Sequence, residues 1–267
     1  MKEVIQRPES PDWYDLLEQA VGNPQDLADA HRFFKKRSLG NKWLASVQLR
    51  AMGLPLQPAH SFKDWLAAKR PVQKGQKATI AQVCPVPLKR KKKDEGSGEE
   101  VQEVVGMRFT LRKAWFHLGQ TDGEEYVCED IAQDWDIRYA LEEFQVVERP
   151  FAFSAVDDFR CGEVGADFIS VSELEKYPTL ARVRLLSRVV LHHFAEKPSR
   201  SVPTDSAMQA LEADTTAYLV GATLGLSGMD QTRAVLQQEL AGARRIPDLV
   251  AQRAFAAADK ILNAGVC

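Results

Sequence analysis

Cysteines, long apolar runs and paired metal-ligand motifs are scarce or missing in this sequence. Its four cysteines, Cys84, Cys128, Cys161 and Cys267, stand far apart, and no two form a C-x-x-C pair. Neither a zinc knuckle nor a disulfide framework is therefore indicated. No apolar run approaches the roughly 18 residues that a membrane span needs. The first ten residues, MKEVIQRPES, lack the apolar core of a secretory signal, so we expect a cytoplasmic protein that does not enter a membrane.

Two common signatures of enzymes are also missing. The sequence contains no G-x-S-x-G nucleophile elbow. The stretch Gly225-Leu226-Ser227-Gly228 lacks the lysine of a phosphate-binding loop and is typical of a helix cap. These absences exclude the commonest serine hydrolase and nucleotide-hydrolysing classes.

Charge is present in quantity but is unevenly distributed. The chain has a net charge of −2 with 45% hydrophobic and 27% charged residues, as in a soluble globular protein with an apolar core. Residues 1–120 contain 21 Lys and Arg against 13 Asp and Glu, a net charge of +8, whereas residues 121–267 contain 14 against 24, a net charge of −10. The basic first half favours a polyanionic partner.

The stretch Ser61–Val83 combines aromatic and basic residues in a defined order. An aromatic pattern with helical spacing precedes Pro71, which ends that helix. Lys74-Gly75-Gln76-Lys77 then predicts a glycine-centred turn, and Thr79–Val83 predicts a strand. Two interpretations fit. The turn is an ordinary surface turn with Trp65 in the core, which this stretch alone favours, or its ammonium groups hold a nucleic-acid backbone while the indole stacks on a base.

The remaining patterns predict an α+β fold. Helical spacing covers residues 13–20, 25–37 and 43–52. The strand Thr79–Val83 and the β-rich run Val101–Leu118 predict a hairpin whose charged loop contains Lys89–Lys93. Beyond an acidic boundary near residue 122, helical patterns cover residues 135–146, 180–196, 208–226, 231–240 and 246–262, with short strands at 151–153 and 166–171. We therefore expect one domain over residues 1–122 and a mostly helical domain over residues 123–267.

Taken in order, these motifs resemble the ArdC-type antirestriction proteins of plasmids and mobile elements. The helix Asn41–Met52, the segment Ser61–Trp65 and the turn Val72–Lys77, which stands for the family's V-x-K-G-E-K, agree in order and spacing over most of residues 38–122. The resemblance implies an N-terminal domain that binds single-stranded DNA. It also implies a C-terminal zincin-like metallopeptidase domain, for which the match is looser.

The peptidase motif that this resemblance implies is incomplete. In the family, H-E-x-x-H on one helix supplies two zinc-binding imidazoles and the catalytic glutamate. The matching helix, Leu180–Phe194, reads V-V-L-H-H at that place, so Val189 replaces the first His and Val190 replaces the Glu. His193 alone keeps a ligand position.

The third ligand position falls on Glu212 or Asp214. One His and one carboxylate cannot form the three-ligand open site of a zinc hydrolase. We therefore expect no catalysis and no metal or other cofactor, with Val189, His193 and Asp214 as vestigial positions.

Nine residues of the basic first half are the candidate nucleic-acid contacts. Their cations would neutralise phosphates and their two indoles would stack on bases. Alternatively, both indoles pack in the core, where large aromatic side chains are mostly found. The nine are Arg37, Asn41, Lys42, Trp65, Lys74, Lys77, Arg108, Arg112 and Trp115.

Three functions remain open at this point. The first is a non-catalytic protein that binds single-stranded DNA, for which antirestriction, conjugation, phage biology and DNA repair are all compatible settings. The second is a metallopeptidase with an unusual zinc site built from His192, His193, Glu212 and Asp214. The third is an adaptor or inhibitor that binds a partner protein through the acidic second half.

Overall fold

The computed structural model of the chain describes residues 11–34, 37–93, 100–126, 134–154, 162–195, 203, 205–242 and 246–266, and at 91–93, 100–103 and 106–108 it describes the backbone alone. Helices and two small sheets make up these ranges, which confirms the predicted α+β class. None of the helices in the described ranges combines the length and the apolar character that crossing a bilayer requires.

Helices and strands alternate irregularly along the chain. In order, they are α1 Trp13–Gly22, α2 Pro24–Phe33, α3 Leu39–Ala51, β1 Ala59–Ser61, α4 Phe62–Ala67, β2 Ile80–Lys93, β3 Glu100–His117, α5 Ile137–Glu143, β4 Val147–Glu148, β5 Gly162–Val164, β6 Phe168–Val171, α6 Pro178–Val190, α7 Ser206–Leu224, α8 Met229–Ala241 and α9 Asp248–Ala264.

The chain divides into two compact units. One, called the hairpin unit, comprises Met1–Pro11 and Val47–Tyr126, and the other, called the helical unit, comprises Asp12–Ser46 and Val127–Cys267. The boundary near residue 126 lies close to the one predicted at 122. The segment Asp12–Ser46 lies with the helical unit rather than with the first domain, because α1 packs against α8 and α9 while α2 packs against α7.

The hairpin unit is built on an antiparallel sheet with the strand order β1-β3-β2. The predicted hairpin is thus confirmed, but β2 is longer than expected and continues through Lys89–Lys93, where the charge pattern predicts a loop. The register pairs Arg90 with Glu103 and Lys93 with Glu100 along this continuation.

The helical unit is organised around α7, which packs against α2, α6, α8 and α9. Its Tyr218 is fully buried and its hydroxyl donates to the carbonyl of Val21 at 3.2 Å. The small sheet has the order β4-β6-β5, with β4 parallel and β5 antiparallel to β6. The strand predicted at 151–153 is not formed. The parallel strand ends earlier, at Glu148, and Pro150 cannot donate a ladder hydrogen bond.

Candidate functional site

The basic turn before β2 is held in place by the buried side chain of Gln120. Its Nε2 donates to the carbonyl of Lys77 at 2.8 Å and to Oε1 of Gln76 at 3.0 Å. Its Oε1 accepts from the Thr79 hydroxyl at 2.9 Å and from the backbone N–H of His117 at 3.1 Å. One amide thus ties the turn to the end of β3, and fixes the backbone that carries the lysines.

Lys74 and Lys77 are both exposed on this turn, as predicted for phosphate contacts. Neither ammonium group forms an ion pair within the described part of the chain. Gly75 between them has φ of +87°, a conformation that favours glycine. The turn therefore presents two cations to solvent from a fixed backbone.

The two predicted stacking residues are in the core. Trp65 and Trp115 are both 0% exposed. The Trp65 indole N–H donates to the carbonyl of Phe116 at 2.7 Å, and its ring makes an edge contact with His60 at 4.7 Å. A base needs an open ring face to stack on, so the stacking role is corrected and the core interpretation holds for both indoles.

Two phenylalanines of the hairpin unit are exposed instead: Phe109 on β3 is 51% exposed and Phe62 at the start of α4 is 55% exposed. The register of β2 and β3 shows on which face of the sheet Phe109 lies. Ile80 lies opposite Trp115 and the next residue, Ala81, lies opposite Lys113, with an irregularity between these pairs. Successive residues of a strand point to opposite faces. Lys113 therefore points away from the buried face that holds Trp115.

Alternation along β3 places Phe109, Leu111 and Lys113 on that opposite face. Phe116 follows Trp115 and lies there too, where its ring is 6.4 Å from that of Phe62 in an edge contact. We call these five residues the open sheet face. Lys113 stands between Phe109 and Phe116 in the order along β3, and a cation interleaved with aromatic residues is suited to unstacked bases. The alternation at residues 109, 111 and 113 is the sequence signal that could have identified it.

Lys42, a predicted phosphate contact, is 5% exposed in the helical unit. Its Nζ lies 3.1 Å from Nδ1 of His31. Burial lowers the pKa of Lys42, and the Asp259 carboxylate opposes that shift. Burial, followed by the Lys42 charge, lowers the pKa of His31 to about 4. Because the ammonium group is enclosed by its own fold, the assignment of Lys42 to DNA is corrected.

The other predicted contacts are distributed over both units. Arg37 and Asn41 lie in the helical unit, half-buried, and each already has an interaction partner. Arg112 is exposed on β3 but neighbours Lys113 along the strand, so it points to the other face. Arg108 lies in β3, and its side chain is outside what the structure describes. The basic turn and the open sheet face are therefore what the hairpin unit offers to a nucleic acid.

In the helical unit, the helix predicted over Leu180–Phe194 ends earlier than expected. Helix α6 stops at Val190, and His192 adopts a left-handed conformation with φ of +60°. The N–H of His192 donates to the carbonyl of Val189 at 2.9 Å, and the N–H of His193 donates to that of Arg188 at 3.1 Å. This pair of bonds is a Schellman motif. His193 consequently lies beyond the helix on which a second zinc-binding histidine would have to stand.

His193 and Glu212 are joined by a short contact, with Nε2 of the imidazole 2.7 Å from Oε2 of the carboxylate and both side chains 0% exposed. Arg253 completes the cluster: its Nε donates to Oε1 of Glu212 at 2.7 Å, and its Nη2 donates to the carbonyl of Leu191 at 2.7 Å. The carboxylate that His193 contacts is therefore that of Glu212. Asp214 instead pairs through both oxygens with Arg184.

These residues do not fit a zinc ion. Both oxygens of Glu212 already accept hydrogen bonds, and Nδ1 of His193, the buried nitrogen of this cluster that has no described partner, is one ligand only. Val189 and Val190 line a small cavity of about 250 Å³ where a histidine and a glutamate would be needed. Nowhere in the described ranges do three or more His, Cys, Asp or Glu side chains gather as metal ligands. In the described part of the chain, His192, His193, Glu212 and Asp214 therefore do not come together as one metal site.

The chain is therefore an α+β protein. Its hairpin unit carries an exposed basic turn, and its helical unit buries the side chain of His193 against Glu212. No model of a protein family matches it, and no curated protein matches it in sequence. It is similar to two solved structures of the antirestriction protein ArdC from plasmid R388. The metal-free structure has 14% identity and a TM-score of 0.46 over 96% of this chain and 98% of that one. The Mn(II)-bound structure has 13% identity and a TM-score of 0.42, over 95% and 97%.

Both structures come from the family that the sequence motifs resemble. At identities and scores this low, the likeness by itself carries no conclusion about the activity, the ligands or a metal of this chain.

Proposed function

We propose that this chain is a non-catalytic protein that binds single-stranded DNA through its hairpin unit, in an antirestriction or DNA-protecting role. The observation that carries the proposal is the pairing of two exposed lysines, Lys74 and Lys77, with the open sheet face of the same unit. Cations neutralise the phosphates, and exposed rings stack on bases that a duplex would keep paired.

The antirestriction role rests on the order of the sequence motifs. The V-x-K-G-x-K turn followed by the hairpin supports this role. The similar solved structures are of ArdC, a protein described as antirestriction. The helical unit would then be a peptidase-like domain without hydrolysis, because Val189, Val190 and the occupied Glu212 leave no place for the metal and no base. Its use as an adaptor for a partner protein stays a prediction.

The test is fluorescence anisotropy with labelled single-stranded and duplex DNA at two salt concentrations. We expect tighter binding of the single strand, and affinity that falls with salt by a slope of about −0.7 per phosphate contacted. Reversing both charges of the turn, with Lys74→Glu and Lys77→Glu, should abolish most of the binding.

The matched control reverses two lysines of the helical unit, with Lys176→Glu and Lys260→Glu. Both pairs lower the net charge by the same amount, so a general charge effect would weaken the two variants equally. Equal binding by the wild type and the turn variant would show that the turn is not the DNA site.

A further inference from the structure

A groove of about 600 Å³ lies in the helical unit between α6, α7 and α8. Its volume is in the range of small-molecule sites. The walls are mostly apolar, with Leu180, Leu185, Ala213, Ala217 and Val235 among the lining residues. Neither the proposed DNA contacts nor the His193 cluster uses this groove.

Two arginines line the groove one helical turn apart. Arg184 and Arg188 are four residues apart on α6 and therefore share a face. Arg184 is neutralised by the two oxygens of Asp214. The Arg188 side chain forms no ion pair or hydrogen bond with a described residue, although its guanidinium lies 5.2 Å above the ring of Phe194. Its Nε is buried without an acceptor. Among the described residues, one of the two cations thus lacks a counter-charge.

The other charged group of the lining stands too far away to supply that counter-charge. Glu175 precedes α6, and the ten residue steps from Pro178 to Arg188 alone correspond to roughly 15 Å along the helix. One of its oxygens also accepts from the backbone N–H of Tyr177 at 3.0 Å. Buried polar groups are normally satisfied by a partner, and Nε of Arg188 has no acceptor among the described residues.

We propose that this groove binds a small molecule that carries one carboxylate on an apolar chain or ring. The carboxylate pairs with the guanidinium of Arg188, whose planar donors match carboxylate geometry. The apolar body lies along Leu180, Leu185 and Val235. The four charged lining residues, Glu175, Arg184, Arg188 and Asp214, sum to zero, so a single negative charge is accepted more readily than the double charge of a phosphate ester.

The test compares decanoate with decanol, which share an apolar chain and differ in charge. Both are titrated into the full-length protein by isothermal titration calorimetry. We expect saturable decanoate binding at least about ten-fold tighter than that of decanol, since a charge-assisted hydrogen bond is roughly twice as strong as a neutral one. When decanoate and decyl phosphate are added at equal concentrations, decanoate should displace decyl phosphate from the groove.

Two variants locate the site. Arg188→Gln should reduce decanoate binding to the decanol level and leave decanol unchanged, whereas Arg112→Gln in the hairpin unit should change neither. Val235→Asp alters an exposed lining residue without touching the core and should weaken decanoate more than decanol. The proposal is overturned if the wild type binds neither ligand, if it binds both equally, or if Arg188→Gln keeps the preference for decanoate.

Discussion

Nε2 of His193 lies 2.7 Å from Oε2 of Glu212, in a cluster that also holds the guanidinium of Arg253. Oε1 of Glu212 accepts from Nε of Arg253 at 2.7 Å, so both carboxylate oxygens have a partner. A positive side chain from α9 thus compensates the buried carboxylate of α7. This relationship predicts that Glu212 stabilises the helical unit.

The first prediction follows from that cluster. Glu212→Gln removes the carboxylate that pairs with Arg253, which is 17% exposed, and with His193, whose side chain is 0% exposed. We expect the free energy of unfolding to fall by about 3–5 kcal/mol, measured by urea denaturation. Asp214→Asn is the control, because its partner Arg184 is 50% exposed and exposed pairs contribute about 1 kcal/mol or less. Equal losses in the two variants would contradict this account.

The second prediction concerns pH. The pKa of His31 falls from 6.5 to about 4 in the folded protein, so between these values the unfolded chain binds the proton more readily. Stability is therefore complete above pH 6.5 and is lost as the pH falls from 6.5 toward 4, by at most about 3 kcal/mol. The measurement is the free energy of unfolding of the wild type and of His31→Gln, obtained by urea denaturation across this pH range. The stability of the wild type relative to the variant should fall by up to about 3 kcal/mol between pH 6.5 and 4.

Lys42 and Asp259 also titrate. Lys42 does so outside the range from pH 6.5 to 4, and Asp259 changes stability with pH in the opposite direction. Burial lowers the pKa of Lys42, whose window is alkaline, and raises the pKa of Asp259. A raised carboxyl pKa contributes stability at low pH that is lost as the pH rises through it. The difference between the two curves removes both contributions. A difference that does not change between pH 6.5 and 4 would show that His31 is not the group responsible.

Sequence patterns predicted most of the local structure, because helices and strands are encoded by neighbouring residues. The helical spacing after Asp12 predicted α1. The alternation of residues in β3 predicted the hairpin. The run Lys89–Lys93 misled, since its charge favours solvent although its backbone continues the ladder opposite residues 100–104. The end of α6 was missed for a related reason. The left-handed residue there is His192, where glycine is the usual signal.

The site was harder to predict because burial is decided by contacts that are distant in sequence. Leu39 donates its N–H to Asp259, 220 residues away, at 2.8 Å, and no local pattern announces that the neighbouring Lys42 will be enclosed. Trp65 and Trp115 carry both an aromatic face and an apolar surface. Only the fold determines that Trp65 donates its N–H to the carbonyl of Phe116 and that the phenylalanines stay exposed.

The third prediction tests the open sheet face and rests on the proposed DNA binding. Phe62→Ala and Phe109→Ala should each weaken binding of single-stranded DNA by roughly 5- to 150-fold, which corresponds to about 1–3 kcal/mol per stacked base. Stability should change little, since both rings are about half exposed. The control is Leu249→Ala, an apolar residue of the helical unit that is 46% exposed. Anisotropy at one fixed salt concentration is the measurement, and unchanged affinity in both variants would remove the stacking role.

The last prediction separates the position of the turn from its charge. Gln120→Leu keeps the lysines but leaves the Thr79 hydroxyl and the carbonyl of Lys77 without the buried amide. Each unsatisfied group costs about 1–3 kcal/mol, so we expect a loss of about 2–6 kcal/mol and faster hydrogen exchange in the turn. DNA affinity should fall although no cation is removed. Gln73→Leu loses two exposed bonds, one donated to Asp122 at 3.0 Å and one accepted from Gln76 at 3.5 Å, and should cost less than about 1 kcal/mol. If the two variants behave alike, Gln120 does not hold the turn.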